Sequence, residues 1–228
     1  MRLFTGLAEM EMTSHFKFPL PSLVFITLLS ILLFSPMFVL HGLGGFDFWW
    51  WMSSNLTVLI TLSLLIDRSY RMYLRADFTS GTGKKILFGF ASAIVLYFFF
   101  FAGNALSRLM FNFAGEGIAD VYAFKGDAEG IRIGLLMLLI IGPGEEIFWR
   151  GFLQRHFQVR LGKWQGFLLA TLIYTGVHVL TGNFMLIVAA LVAGLFWGWM
   201  FMRYNSVVMN IVSHTIWDIS VFLLFPFN

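Results

Sequence analysis

The sequence predicts an all-α fold, a polytopic transmembrane helix bundle of about seven spans. Three observations predict it. Hydrophobic residues make up 59% of the chain and charged residues 12%, against about 45–50% and about 25% in a soluble domain. That leaves too little polar surface to face water on all sides. The apolar residues are gathered into stretches near the length of about 20 residues that crosses a bilayer. The Lys and Arg residues fall mainly in alternate connections between those stretches.

The stretches run near 18–40, 49–66, 86–107, 131–157, 164–180, 184–202 and 206–225. The first follows a segment holding Arg2, Glu9, Glu11 and Lys17, and no small-x-small cleavage site comes after it. It reads as a retained span rather than a secretory signal. The second opens on Trp49, Trp50 and Trp51, where an outer aromatic belt would stand. The third carries the Phe-rich run 98–101, suited to lipid contact or core filling. The fourth is apolar from Ile133 to Ile141, passes Gly142-Pro143-Gly144, and continues as a polar-studded helix from Glu145 to about Phe157. Its proline predicts a kink or a break in the hydrogen-bond ladder. Asp47, Asn104 and Asn183 are expected near interfaces or loops, and Tyr174 is expected to pack beside the polar residues.

The connections differ in charge. Arg68, Arg71, Arg75, Lys84 and Lys85 follow the second stretch. Arg155, Arg160 and Lys163 follow the fourth, and Arg203 follows the sixth. Residues 41–48 and 181–183 carry no Lys or Arg, and 109–130 set Lys125 against Glu116, Asp120, Asp127 and Glu129. Since Lys and Arg mark the cytoplasmic side, the N-terminus is expected inside and the C-terminus outside, in the cytoplasmic (inner) membrane. No repeat or low-complexity linker divides the chain, which reads as a single membrane domain over 1–228. The absence of cysteine removes disulfides, thiolate metal ligands and a cysteine nucleophile. A net charge of +3 without an arginine-rich face predicts the lipid bilayer as a partner and no nucleic acid.

Ionisable residues at membrane depth are costly and therefore functional candidates. Here they are Glu145, Glu146 and Arg150, then His178, then His214 and Asp218. Glu146 and Arg150 stand four apart, share a helix face and can pair. This pair reads as structural support. Glu145 is turned about 100° from Glu146 and cannot easily share that arginine, which leaves it as a candidate general base. Counting about 1.5 Å per residue from the expected inner ends puts Glu145, His178, His214 and Asp218 at roughly 20, 21, 12 and 18 Å. Three helices thus bring polar groups to similar depth. His178 taken alone reads equally as a helix–helix hydrogen bond; the four together are the candidate catalytic set. Gly-x-Ser-Gly, Gly-x-Gly-Asp and His-Glu-x-x-His are absent, so serine, aspartyl and zincin-type intramembrane proteolysis fit less well.

Glu145-Glu146-Ile147-Phe148-Trp149-Arg150 matches E-E-x-x-x-R, Tyr174-Thr175-Gly176-Val177-His178 matches aromatic-x-x-x-His, and His214-Thr215-Ile216-Trp217-Asp218 matches His-x-x-x-Asn/Asp. In this order the motifs resemble those of the CPBP family, the CAAX proteases and bacteriocin-processing proteins, over roughly residues 130–220. Tyr174 stands where the family usually has Phe, and Asp218 where the CAAX enzymes carry Asn. The resemblance implies an intramembrane endopeptidase. Glu145 with His178 would activate a water, and His214, oriented or charged by Asp218, would stabilise the oxyanion. Its substrate would be a peptide or membrane-protein segment near the membrane, with or without an attached lipid. No cofactor is needed in this reading; a zinc ion, if present, would take Glu145, His178 and His214, and metal-free glutamate catalysis ranks above it. A non-catalytic membrane scaffold or regulator of a signalling partner is the alternative.

Overall fold

The computed structural model describes residues 18–227. The expectation for the segment before the first span lies outside the described residues. The fold is nearly all helical. Helix α1 (Leu20–Leu40) leads through a two-stranded hairpin, β1 (Gly42–Leu43) and β2 (Phe46–Asp47), into α2 (Phe48–Ile66). Helix α3 (Arg68–Thr79) is followed by the long α4 (Thr82–Met110) and the short α5 (Ala114–Ala123). Residues 130–161 form one unbroken run of helical backbone, called α6 here. After it come α7 (Lys163–His178), α8 (Phe184–Tyr204) and α9 (Val207–Ile219), the last prolonged by a π-turn over Ser220–Leu224.

Five of these are long and apolar enough to cross a membrane: Leu20–Leu40, Phe48–Ile66, Thr82–Met110, Phe184–Tyr204 and Val207–Leu224. The expected fourth and fifth spans are helices too, but α6 is studded with buried polar side chains and α7 has 16 residues. Their apolar character is diluted where the polar residues of the interior sit. The outward faces of the bundle are apolar, with Phe98 and Phe99 of α4 and Leu172 of α7 exposed, as a lipid-solvated surface requires. The tryptophan belt is only partly realised. Trp49 is buried and its indole N–H donates to the Phe124 carbonyl at 3.0 Å, whereas Trp50 faces outward.

The Gly142-Pro143-Gly144 segment does not interrupt α6. The hydrogen-bond ladder widens instead into π-helical turns at Met137–Ile141 and Glu146–Gln154, on either side of Gly142–Glu145. Widening the ladder is one way for a helix to accommodate a residue that lacks an N–H. The glycines serve close approach. A Cβ on Gly142 would collide with Thr215 Oγ1 and lie 3.0 Å from Thr215 Cα, and one on Gly144 would press on Leu56 and Ile60. Helix α6 thereby lies directly against α9 and α2 where its glutamates begin.

Polar caps fix the helix ends. Asp47 accepts from the Trp49 and Trp50 amides at 3.1 Å, capping α2, and pairs with Arg132 at the start of α6. Asp77 pairs with Lys85 at 2.6 Å and accepts from the Val208 amide at 2.9 Å, which fixes the start of α9. Asn183 caps α8, accepting from the Leu186 amide. Asn104 lies inside α4, six residues before its end at Met110.

Asp67 joins the α2–α3 corner to the end of α6. One oxygen accepts from the Ser69 amide and hydroxyl and the Tyr70 amide, and the other contacts His156 Nε2 at 2.9 Å. Burial pushes its carboxyl up, but the hydrogen bonds from His156, Ser69 and Tyr70 outweigh that and hold it well below the usual carboxylate range. A carboxylate whose folded pKa is depressed stabilises the fold above its unfolded pKa, about 4, and loses that contribution as pH falls toward the folded value. Asp67→Asn is therefore expected to lower Tm at pH 7, by a gap that narrows as pH drops below about 4. Thermal unfolding of both proteins across that range checks this, and a gap independent of pH contradicts it.

Candidate active site

Two adjacent glutamates of α6 face different surroundings. Glu146 is fully buried. Its Oε1 accepts from Arg150 Nη1 at 3.0 Å and lies 2.7 Å from His214 Nδ1, and its Oε2 accepts from Asn210 Nδ2 at 2.9 Å. Both of its oxygens are thus engaged by side chains of α6 and α9. Glu145 points elsewhere. Its Oε2 accepts from the Tyr174 hydroxyl at 2.9 Å and lies 4.0 Å from His214 Nε2.

His214 is held on both sides. Beyond the Glu146 contact at Nδ1, its Nε2 lies 3.4 Å from Asp218 Oδ2. The Trp197 ring stacks on the imidazole with centroids 3.7 Å apart and 21° between planes, and the Trp197 N–H donates to Ser213 Oγ at 3.1 Å. His178 is anchored differently. Its Nδ1 lies 2.8 Å from the Tyr174 carbonyl. A carbonyl can only accept, so Nδ1 carries a proton, and in the neutral imidazole Nε2 keeps a lone pair. Arg150 sits with its guanidinium 4.3 Å from the Tyr174 ring centroid, joining the Glu146 side of the site to α7.

Glu145, His178, His214 and Asp218 all line one cavity of about 400 Å³, together with Tyr174 and Trp197. Glu146 and Arg150 do not line it. Elsewhere its wall is chiefly aromatic and aliphatic, including Phe38, Phe99, Phe100 and Val192. Four polar side chains from α6, α7 and α9 therefore converge at a largely apolar chamber. Asn104 of α4 also reaches its wall, and so do Ile118, Val121 and Tyr122 of α5. The segment 109–130, expected only as a connection, thus helps close the cavity. Among the described residues, no group of three or more His, Cys, Asp or Glu side chains is placed to hold a metal ion.

Sequence reasoning singled out the six residues but not their connections. The 3.6-residue period separated Glu145 from Glu146 and joined Glu146 to Arg150, and both relations appear in the structure. Asn210 and Trp197 were not singled out, and Tyr174 was read only as packing. A buried asparagine one turn before His214 on the same helix face was the available signal for Asn210. Nothing comparable marked Trp197 among the eight tryptophans of the chain.

Residues 128–220 match the model of a protein family described as type II CAAX prenyl endopeptidase Rce1-like. The match spans all six residues and agrees with the resemblance carried by the three motifs. No curated protein and no solved structure matches the chain.

Proposed function

We propose that this integral membrane protein is a glutamate-dependent endopeptidase that cleaves a peptide or membrane-protein segment at the membrane, a reading supported by the similarity of residues 128–220 to the CAAX-type endopeptidase family model. The observation that carries the reading is the sorting of the two glutamates. Glu146 is tied by Arg150, His214 and Asn210, whereas Glu145 opens on the cavity beside His178 and His214.

The steps follow from that placement. A water admitted to the cavity donates to Glu145 and to the free Nε2 of His178. Glu145 takes the water's proton as the oxygen attacks the scissile carbonyl. His214, faced by Glu146 at one nitrogen and Asp218 at the other, donates from Nε2 to the oxyanion. Glu145 then passes its proton to the leaving amine, and the carboxylate is restored. The cavity's apolar walls suit a substrate carrying an attached lipid or a membrane-embedded flank. Glu146, Arg150 and Asn210 support the geometry without touching the substrate.

The donor set favours a metal-free route over zinc. His178 could offer Nε2 to a metal, but His214 faces carboxylates at both nitrogens and acts as a donor at both, leaving it no lone pair for a ligand bond. The reconstituted protein is expected to cleave an internally quenched peptide bearing an S-farnesyl cysteine followed by three residues, to contain well below one equivalent of zinc, and to ignore chelators. Stoichiometric zinc, lost and restored together with cleavage, would refute this.

The charge pattern supports an orientation with the N-terminus and residues 67–85 in the cytoplasm and 109–130 outside. The chain has no native cysteine, so single cysteines at exposed Thr79 and Asn112 report orientation. An impermeant thiol reagent applied from outside is expected to label Asn112→Cys and spare Thr79→Cys; the reverse pattern inverts the topology.

A further inference from the structure

Tyr174 makes two polar contacts that meet at the same place. Its hydroxyl donates to Glu145 Oε2 at 2.9 Å, and its main-chain carbonyl accepts from His178 Nδ1 at 2.8 Å. The side chain is buried, with its ring edge-on to Trp149 at 5.5 Å between centroids and the Arg150 guanidinium 4.3 Å from its centre. These contacts and the hydroxyl's hydrogen bond hold the phenol in place at the cavity wall. The contacts also leave one atom of each partner uncommitted: among the described residues no side chain donates to Oε1 of Glu145, and Nε2 of the neutral His178 ring retains its lone pair.

We propose that Tyr174 is a positioning residue of the hydrolysis, holding one oxygen of Glu145 through its hydroxyl and one nitrogen of His178 through its carbonyl, so that the remaining oxygen and nitrogen address one water. The inference rests on the reading of Glu145 as general base. A phenylalanine, the usual residue at this place in the motif, would supply the ring and the carbonyl but leave the carboxylate free to turn. In this chain the hydroxyl does more than orient. A donor on a carboxylate stabilises its charged form, so the hydroxyl tempers the base while fixing it. The other charged and titratable groups around Glu145 are His214 and Asp218 from α9, His178 from α7, and Arg150 on its own helix; α2 presents Leu56 and Ile60 there. Removing the hydroxyl alters none of them, so its effect can be read separately.

The test is an infrared pH titration of the purified protein in lipid nanodiscs. The Glu145 carboxyl band is the one that Glu145→Gln removes. In Tyr174→Phe its midpoint is expected to rise by roughly one unit, the size of one hydrogen bond to a charged group. A fluorinated tyrosine placed at 174, a stronger donor of native shape, is expected to move the midpoint down and keeps the test open if the phenylalanine variant folds poorly. Midpoints that do not move in either protein overturn the role of Tyr174. The termini of membrane proteins in cells expressing each variant separate this failure from failure of the underlying reading. Termini lost with Glu145→Gln but an unmoved midpoint overturn only the role of Tyr174. Termini that persist with Glu145→Gln overturn the general base and the positioning role with it.

Discussion

Glu145→Gln is expected to reduce proteolysis by about a hundred- to ten-thousand-fold, the range lost with a general base, while Tm stays close to that of the native protein. The amide fills the same volume, and its oxygen can still accept from the Tyr174 hydroxyl, the carboxylate's one hydrogen bond among the described residues. It cannot take a proton from water. The loss should therefore fall on kcat, with KM little changed, because Glu145 is one polar contact in a cavity whose walls are mostly apolar. Paired measurements of cleavage and unfolding check the two halves of this expectation. A variant that cleaves normally, or that loses activity only because it unfolds, removes Glu145 from the chemistry.

Glu146→Gln is expected to do the opposite, destabilising the protein by about 3–5 kcal/mol, the cost of breaking a buried ion pair by removing one partner. For a chain of this size that is on the order of 10 °C in Tm. The carboxylate accepts from three side chains: Arg150 and Asn210 donate at 3.0 and 2.9 Å, and His214 lies at 2.7 Å. An amide has one oxygen and two N–H groups, so at least one donor is left facing another donor, and the Arg150 charge is left buried without its partner. Activity should fall chiefly in proportion to the folded fraction. Unchanged Tm with abolished cleavage would exchange the roles of the two glutamates.

Much of the site was legible because helical periodicity and membrane depth are local properties. A 3.6-residue period separates Glu145 from Glu146 and pairs Glu146 with Arg150 and His214 with Asp218. Rise per residue brings α6, α7 and α9 to a common level, where the cavity lies. What was not legible depends on side chains meeting across helices. The Tyr174 hydroxyl on Glu145, Asn210 on Glu146 and Trp197 on His214 join residues 17 to 64 apart in sequence, and no period in one sequence encodes such meetings. The fold shows the same division. Five spans are apolar enough to stand on their own, while α6 and α7 trade apolar character for the polar interior. Pro143 marks a real disturbance of the ladder, but whether it ends a helix or widens it is decided by packing against Thr215 and Leu56, which residue type does not reveal. Helix α5, lying in a polar connection, left no apolar stretch long enough to be noticed.

The central claim is that the cavity around Glu145 performs hydrolysis in the cell, and complementation with Glu145→Ala tests it most directly. A strain lacking the native protein would receive either the native chain or the variant, with abundance measured and the termini of its membrane proteins compared by proteomics. The variant is expected at native abundance, without restoring the phenotype and without the termini that the native chain produces. Full rescue by Glu145→Ala, with no terminus altered, would contradict hydrolysis and identify the protein as a membrane scaffold that keeps the motif for its structure.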